Sequence, residues 1–259
     1  MSHPVESAPG SFVGALVQKE RALATVGLPV RATWLNHHSI RFALEDVAAL
    51  AEMDVCGVDG QFLKWLLRHP IRTSADLVVP ILLSCDDRIR TVLAIGGEGD
   101  RSAELEKALS ECAQRPVRVY SMNGYGGLRR GGELQRFVSA VQPDLVLVGL
   151  GAGLQEQVLL EASAAMTRGY ALTCGGFLDQ ILQQGYYPSW AYPLHLNWLV
   201  RLAREPRRLW RRYTVQALSA VRRRGAWQRA MAGIPGLLTH AQMGAGLIDH
   251  VLPDVRRAA

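Results

Sequence analysis

A single carboxylate stands out as a candidate general base. Asp59 follows the largely apolar run Val55–Val58 and precedes Gly60, which is where a buried strand would end and a turn would begin. This placement directs the carboxylate into the crevice at the end of a sheet, where it can take a proton from a reacting hydroxyl group. Asp-Gly pairs are also common in turns that have no chemical role, so the residue types alone leave both interpretations open.

A glycine-rich turn forms the second candidate site. Gly149, Gly151 and Gly153 follow an apolar run, and the polar residues Gln155 and Glu156 come next. Alternating glycines let backbone N–H groups approach a phosphate at the start of a helix. Because glycines in strand-to-helix turns are equally common for reasons of packing, both a phosphate cradle and a tight turn remain open. Gln155 and Glu156 would face the same edge.

The largest charge feature is an arginine-rich segment. Between Pro188 and Met231 there are ten Arg and one Glu, a net charge of +9; since the whole chain carries +6, the remainder is net −3. Arginine suits bidentate contacts with phosphate, and arginine beside tryptophan and tyrosine is favoured in the lipid headgroup region. A solvated charged face is the usual alternative, but few Lys or Glu partners are present, so we expect this segment to meet phosphate groups or lipid headgroups. A helical projection gathers five of its arginines on one arc: Arg201, Arg204, Arg208, Arg211 and Arg212.

Neither a metal site nor another cofactor is indicated. The adjacent pair His37-His38 would point to opposite sides of a strand end, and Asp86-Asp87 lacks the strand context of an Asp-x-Asp metal motif. The four cysteines are far apart, which argues against zinc and disulfides and favours buried reduced thiols. If a diphosphate binds, arginines must supply the charge neutralisation that a metal ion would otherwise supply.

The elements that hold these residues alternate between strands and helices. Strands are predicted at the apolar runs 32–35, 54–58, 91–95, 117–121, 144–148 and 170–174. Helices are predicted at about 40–53, after residue 60, from residue 75, and at 102–113, 133–141 and 154–168. This alternation predicts a Rossmann-like α/β fold, with a mostly parallel sheet and helices on both faces. Ligands of such sheets bind beyond the carboxyl ends of the strands.

The chain divides into three parts. We predict an N-terminal extension (1–29), an α/β catalytic core (30–187) and a basic, helical, membrane-associating appendage (188–259). Pro206 disfavours a helix at the residue before it, so two helices should meet there. No run of about 18 apolar residues and no signal sequence is recognisable. We therefore expect a cytoplasmic protein attached peripherally to the inner face of the cell membrane.

Three blocks carry most of the recognisable motifs: Pro143–Glu156 (PDLVLVGLGAGLQE), Gly175–Asp179 (GGFLD) and Leu196–Arg211 (LNWLVRLAREPRRLWR). Shorter matching stretches are Leu35-Asn36, Val58–Gly60 and Arg72–Leu77. In order and spacing these blocks resemble the signature of the bacterial WecG/TagA/CpsF glycosyltransferases. The resemblance extends over about residues 31–213.

The resemblance implies transfer of a hexose or N-acetylhexosamine from a UDP-sugar to a polyprenyl-diphosphate-linked saccharide, with inversion and without a metal. The implied setting is bacterial exopolysaccharide or cell-surface polysaccharide synthesis. By position, Asp59 corresponds to the catalytic base. The implied substrate-binding residues are Asn36, Arg72 and Gln155 in the pocket, and Arg201, Arg208 and Arg211 in the appendage that closes over the diphosphate.

Three positions depart from the family pattern. Trp34 stands where a Thr is usual, Gly153-Leu154 where Pro-Lys is usual, and Asn197 where a Glu is usual. In these departures the chain resembles the branch of the family that adds glucose in xanthan-like exopolysaccharide assembly. Glucose is therefore the favoured donor sugar and N-acetylmannosamine the next. The sequence leaves open which saccharide is the acceptor and whether the protein forms a homo-oligomer.

Two other classes of function are weaker. A redox or non-catalytic dinucleotide-binding protein would carry an acidic residue after its second strand to grip a ribose, and none is clear after 117–121. An RNA-binding protein would use the arginines as a counter-ion surface. The acidic remainder of the chain and the clustering of Trp with Arg fit a lipid surface better, so we expect no nucleic-acid partner.

Overall fold

The fold is built on one parallel sheet. The computed structural model describes residues 12–45, 47–68, 73–97, 99–124, 132–183, 196–204 and 206–232. Within these ranges the strands are β1 (Val30–Leu35), β2 (Val55–Val58), β3 (Thr91–Ile95), β4 (Arg118–Met122), β5 (Leu145–Val148) and β6 (Tyr170–Thr173). They form one six-stranded sheet in the order β2-β1-β6-β5-β3-β4, and every pairing is parallel. The predicted α/β class is confirmed.

Burial explains why these runs form parallel strands. Every residue of β2, β5 and β6 is buried. Because successive side chains point to opposite faces of a strand, a strand that is apolar throughout needs an apolar layer on both sides. Helices supply both layers and provide the crossovers between parallel strands.

The described helices are α1 (Phe12–Ala24), α2 (Ser39–Glu45), α3 (Val47–Ala51), α4 (Gln61–Leu67), α5 (Ala75–Cys85), α6 (Ser102–Ala113), α7 (Glu133–Val141), α8 (Leu154–Ser163), α9 (Phe177–Leu182), α10 (Asn197–Arg204), α11 (Pro206–Arg211), a π-helix (Arg212–Gln216), α12 (Ala217–Arg222) and α13 (Arg224–Ala232). Helices α1, α5, α6 and α9 contribute to the core on one face of the sheet. Helices α2, α3, α4, α7 and α8 contribute to the core on the other, together with α12 and α13.

The described part of the predicted N-terminal extension contains helix α1. Its residues Phe12, Val13, Leu16 and Val17 are buried in the first core, and the ring of Phe12 lies 6.0 Å from the ring of Trp34 in β1. Sequence analysis predicted no element in this range. The helix covers part of one face of the sheet.

Two predicted helices differ from the structure. The segment predicted as one helix over 40–53 forms two helices, α2 and α3. The helix predicted to reach Arg168 ends at Ser163. It stops early because the chain must turn through Gly169, which has a φ of +85° and packs against the backbone of Asp144.

The described part of the arginine-rich segment, at residues 196–204 and 206–231, is largely helical. Helix α10 ends at Arg204 and α11 begins at Pro206, in agreement with the predicted break. From Pro206 the chain continues through the π-helix into α12. None of the described helices combines the length and the apolarity needed to cross a membrane.

Candidate active site

The carboxyl ends of the strands lie along one edge of the sheet, because all described pairings are parallel. The residues that directly follow β1 to β6 are Asn36, Asp59, Gly96, Asn123, Gly149 and Cys174. Asp59 and Asn36 follow neighbouring strands, and the backbone N–H of Asp59 donates to the carbonyl oxygen of Leu35 at 2.7 Å. Asp59 is half-buried. The structure therefore brings the predicted base and one predicted pocket residue side by side.

Asn36 organises the turn after β1. Its side-chain oxygen accepts hydrogen bonds from the backbone N–H groups of His38 and Ser39, both at 3.0 Å, and the Ser39 hydroxyl lies 2.8 Å from the Asn36 backbone N–H. Such bonds satisfy N–H groups at the start of α2. They also fix the direction of the side chain, whose amide nitrogen is the end left to donate to a substrate.

The glycine turn after β5 divides into two roles. A Cβ on Gly149 would lie 2.5 Å from the carbonyl oxygen of Gly175, and one on Gly96 would lie 2.6 Å from the carbonyl oxygen of Gly149. Glycine at 149 thus serves close packing between the turns. Gly151 differs, since it is exposed, has a φ of +82° and has open space where a Cβ would stand. Gly151 is therefore the part of the predicted cradle with room for a ligand.

Gln155 and Glu156 belong to a buried polar network behind this turn. One carboxylate oxygen of Glu156 accepts from the Thr33 hydroxyl at 3.0 Å and from the Gln155 amide at 2.9 Å; the other accepts from the backbone N–H of Gly153 at 2.8 Å. The Thr33 and Thr173 hydroxyl oxygens are 2.8 Å apart. Glu156 therefore ties α8 to the centre of the sheet and holds Gln155 in position.

This network also fixes which end of the Gln155 amide faces a ligand. Its nitrogen must point to Glu156, because a carboxylate can only accept. Its oxygen, Oε1, is buried and makes no hydrogen bond to any residue in the described ranges. A hydroxyl or N–H group of a ligand can satisfy this acceptor, whereas an unprotonated phosphate oxygen cannot.

Arg201 lies over the turn after β6. A Cβ on Gly176 would stand 3.5 Å from Nη2 of Arg201. The helix that follows this turn is fixed by Arg101, which donates to Asp179 at 2.6 Å and to the carbonyl oxygen of Leu178 at 3.0 Å. Sequence analysis missed Arg101, because one arginine at the start of a helix carries no recognisable signal.

The basic helices are docked on the catalytic core. Trp227 of α13 is 3 % exposed and packs in the same core as α4, and the Gln228 amide donates to the carbonyl oxygen of Leu66 at 3.4 Å. Nδ1 of His38 lies 2.8 Å from Oε1 of Gln216 in the π-helix. The appendage therefore contacts both α4, which begins just after Asp59, and the turn after β1.

The remaining predicted arginines are less closely connected to the site. Arg72, like its neighbour at 71, lies outside the described residues. Arg208 is part of α11, but its side chain is also outside the description. The guanidinium of Arg211 is exposed and lies 6.0 Å from the ring centre of Trp210. Of the predicted arginines with described side chains, Arg201 lies at the carboxyl edge, against Gly176.

Strongly shifted pKa values occur at the opposite, amino edge of the sheet. Burial tends to raise the pKa of Asp86, but hydrogen bonds from Arg88 and Tyr170 outweigh burial and lower it. Burial and the hydrogen bond to Asp86 raise the pKa of Tyr170. Arg88 also pairs with Glu20 at 2.7 Å, and these side chains line a small cavity. Because the groups bind one another, we interpret this cluster as structural.

No three His, Cys, Asp or Glu side chains of the described ranges converge as metal ligands would. All four cysteines are free thiols. Cys56 and Cys174 are buried, as predicted, and burial raises the pKa of Cys56 to about 12, with a smaller contribution from Glu156. Cys85 and Cys112 are half-buried.

Comparison with known proteins agrees with this arrangement. The sequence profile of the "Glycosyl transferase WecG/TagA/CpsF family" matches residues 12–232. One similar protein is the UDP-Gal:alpha-D-GlcNAc-diphosphoundecaprenol beta-1,4-galactosyltransferase of Shigella boydii, which is 23% identical over 206 residues, covering 73% of this chain and 81% of the relative. The profile match spans most of the chain and includes both the carboxyl edge of the sheet and the docked basic helices. The chain therefore belongs to the WecG/TagA/CpsF family and is a glycosyltransferase.

Proposed function

We propose that the protein moves a hexose from a UDP-sugar to a polyprenyl-diphosphate-linked saccharide, with inversion and without a metal ion. Glucose is the favoured sugar and N-acetylmannosamine the next. The name of the Shigella relative contains a UDP-sugar donor and a diphosphoundecaprenol-linked acceptor, which supports these substrate classes. Synthesis of a bacterial exopolysaccharide or other surface polysaccharide is the corresponding setting.

One observation carries the proposal: a carboxylate and an arginine stand over neighbouring parts of the same sheet edge. Asp59 follows β2, and Arg201 lies over Gly176, after β6. One strand, β1, separates β2 from β6, so the two positions are about 10 Å apart at the usual spacing of about 4.8 Å between strands. That separation leaves room for a sugar ring between a base and a diphosphate.

The proposed step is a single displacement. Asp59 takes the proton of the acceptor hydroxyl as its oxygen bonds to the anomeric carbon of the donor, and the bond from that carbon to the UDP oxygen breaks. Attack opposite the leaving group inverts the anomeric configuration. The β-phosphate of UDP gains negative charge, which Arg201, with Arg208 and Arg211, neutralises in place of a metal ion.

The turns after β1 and β5 supply the donor pocket in this proposal. Oε1 of Gln155 accepts a hydrogen bond from a hydroxyl or N–H group of the UDP-sugar. The amide nitrogen of Asn36 donates a hydrogen bond to the same UDP-sugar. The open backbone at Gly151 approaches the diphosphate. Arg72, carried over from the family pattern, completes the pocket.

The basic helices give the enzyme its place at a membrane. The segment from Pro188 to Met231 carries a net charge of +9, and basic residues near an anionic bilayer contribute on the order of 1 kcal/mol each. Several apolar side chains of these helices are exposed: Trp198, Leu199, Trp210, Val215, Leu218 and Val221. Together these features support peripheral attachment to the anionic inner face of the cell membrane, where a lipid-linked acceptor is found.

The direct test is a transfer assay with radiolabelled sugars. Purified full-length protein is incubated with a panel of UDP-sugars and a polyprenyl-diphosphate-linked saccharide in anionic vesicles. Transfer of glucose from UDP-glucose above all other sugars is expected. Transfer from another UDP-sugar alone would correct the donor, and no transfer from any member of the panel to any lipid-linked acceptor would contradict the proposed reaction.

A further inference from the structure

A small polar cluster lies beneath the carboxyl ends of β1 and β2. Trp34, two residues before Asn36, is 5 % exposed and pairs in register with Gly57 of β2. A Cβ on Gly57 would stand 2.5 Å from both Nε1 of Trp34 and Oγ1 of Thr73. Because residue 57 has no side chain, the indole edge of Trp34 and the hydroxyl of Thr73 can both lie beside the position that its Cβ would occupy.

Trp34 of this cluster and Ser74, the residue that follows Thr73, have unused hydrogen-bonding capacity. Nε1 of Trp34 and Oγ of Ser74 are buried, and neither makes a hydrogen bond to any residue that the structure describes. Oγ1 of Thr73, in contrast, accepts from the backbone N–H of Val58 at 3.2 Å. A buried polar group that lacks a partner costs free energy in the folded state, so its retention calls for an explanation.

Ser74 departs from what its position predicts. It is the N-cap residue of α5, with extended backbone angles of −62° and 155°, yet its hydroxyl makes no capping hydrogen bond. Serine is favoured at this position because its oxygen normally accepts from the first turn of the helix. Here the hydroxyl is available for another partner.

Backbone pairing places the cluster next to the proposed base. The N–H of Thr73 donates to the carbonyl oxygen of Val58 at 3.0 Å, and Val58 immediately precedes Asp59. Ser74 is the next residue along this segment, and Trp34 lies on the neighbouring strand. Both residues therefore belong to segments that pair with β2, the strand that leads to Asp59.

The chemistry of the pair favours a neutral oxygen as ligand. An indole N–H can only donate, whereas a serine hydroxyl can donate or accept. Both are uncharged, and a hydroxyl group of a sugar can use one of each kind of bond. A phosphate is better served by arginine, and Arg201 lies over the turn after β6 instead.

We propose that the Trp34 indole N–H and the Ser74 hydroxyl form a subsite for one hydroxyl group of the transferred sugar, so that Trp34 helps determine which hexose is used. This inference rests on the proposed function, because it assigns a UDP-hexose to the site.

The test compares donor sugars in the Trp34→Phe variant, which keeps a large ring and removes the N–H. Its kcat/KM for the preferred UDP-hexose should fall on the order of tenfold, the usual weight of one neutral hydrogen bond. For the one monodeoxy analogue that lacks the bound hydroxyl group, wild type and variant should have equal kcat/KM. Ser74→Ala should give the same pattern. The matched controls are Trp65→Phe, which alters an indole that is 63% exposed, and Ser163→Ala, which alters a buried serine at the end of α8.

Calorimetry separates this inference from the proposed reaction. Trp34→Phe should weaken binding of the UDP-hexose but leave the affinity for UDP unchanged, with the melting temperature retained. A parallel loss of UDP affinity would show that the subsite holds a phosphate, and equal losses against the hexose and all its deoxy analogues would show general damage. Either outcome overturns the inference, as does a variant that behaves like wild type. Sugar-dependent binding without transfer would support the subsite and contradict the proposed reaction instead.

Discussion

The two edges of the sheet are both polar, but their polar groups are bonded differently. At the amino edge, Asp86 accepts hydrogen bonds from Arg88 and Tyr170 at 2.6–2.8 Å. At the carboxyl edge, Gln155 and Trp34 each keep a buried polar atom that has no partner in the described part of the chain. The Asp86 carboxylate is thus hydrogen-bonded within the protein, whereas Gln155 and Trp34 retain capacity for a ligand.

This difference shows why a shifted pKa is a poor guide to function in this fold. The amino edge has strongly shifted groups, and their shifts arise from burial and from the hydrogen bonds of a structural cluster. Perturbed pKa values occur in structural ion pairs as well as in active sites. Unused hydrogen-bonding capacity beside a candidate base is the more informative signal here.

The largest effect is expected from Asp59→Asn. This change keeps the shape of the side chain but removes the base, so kcat should fall by about 10² to 10⁴. The transfer assay measures it, with the melting temperature as a control for folding. A variant that retains more than about a tenth of the wild-type kcat, well outside that range, would remove Asp59 from the mechanism and weaken the functional assignment of the carboxyl edge.

A second large effect is expected from Arg201→Ala. Loss of a positioned cation next to the leaving group should lower kcat by about 10² to 10³, the range seen when one such stabilising group is removed. Arg222→Ala removes the same charge from an exposed position in α12 and serves as the comparison. Both variants should lose the same small share of affinity for anionic liposomes. Equal kcat values in the two variants would show that Arg201 acts in membrane attachment alone.

At the amino edge the expected effect is on stability. Asp86→Asn should lower the free energy of unfolding at neutral pH by about 1–3 kcal/mol, because Arg88 and Tyr170 lose a charged acceptor, and it should leave kcat unchanged. Folding lowers the pKa of Asp86 below its ordinary value of 3.8. Its stabilising contribution is therefore present above that value and is lost as the pH falls through the lower, folded-state pKa.

Urea unfolding at pH 7 and at acid pH measures this contribution. The difference in stability between wild type and Asp86→Asn should shrink as the pH falls below about 4. A loss of kcat at normal stability would instead connect the amino edge to catalysis and contradict the comparison between the two edges.

The smallest expected effect is that of chelation. Transfer should continue in EDTA, since arginines are proposed to neutralise the leaving diphosphate. The assay compares initial rates with and without chelator after dialysis. If transfer stops and returns on addition of Mg²⁺ or Mn²⁺, the assignment of charge neutralisation to Arg201 and its neighbours is wrong.

Much of the fold follows from local pattern. The strand Thr91–Ile95 and the helices Ser102–Ala113 and Glu133–Val141 have the bounds that their periodicity predicts. Helix α1 was missed although Phe12, Val13, Leu16 and Val17 have helical spacing. The segment lacks an acidic residue in its first turn, and such residues help to mark the start of a helix.

The candidate site was less accessible to sequence reasoning. Asp59 and Asn36 could be placed at one edge, since parallel strands align their carboxyl ends. The partners of Glu156 could not be predicted, because Thr33 is 123 residues away and the contact exists only once α8 packs on the sheet. Gly149 resembled a ligand contact, but its packing against Gly175 depends on the order of β5 and β6 in the sheet.

The π-helix at Arg212–Gln216 determines which side chains of the following helices, α12 and α13, face the core. Such a segment lies within a continuous helix as a local widening, and each residue of an α-helix turns the chain by about 100°. Because a π-turn takes up about one residue more than an α-helical turn, the side chains of α12, including the buried Ala220, lie about 100° from where an uninterrupted α-helix would place them. With this wide turn in place, both Ala220 of α12 and Trp227 of α13 pack in the same core as α4.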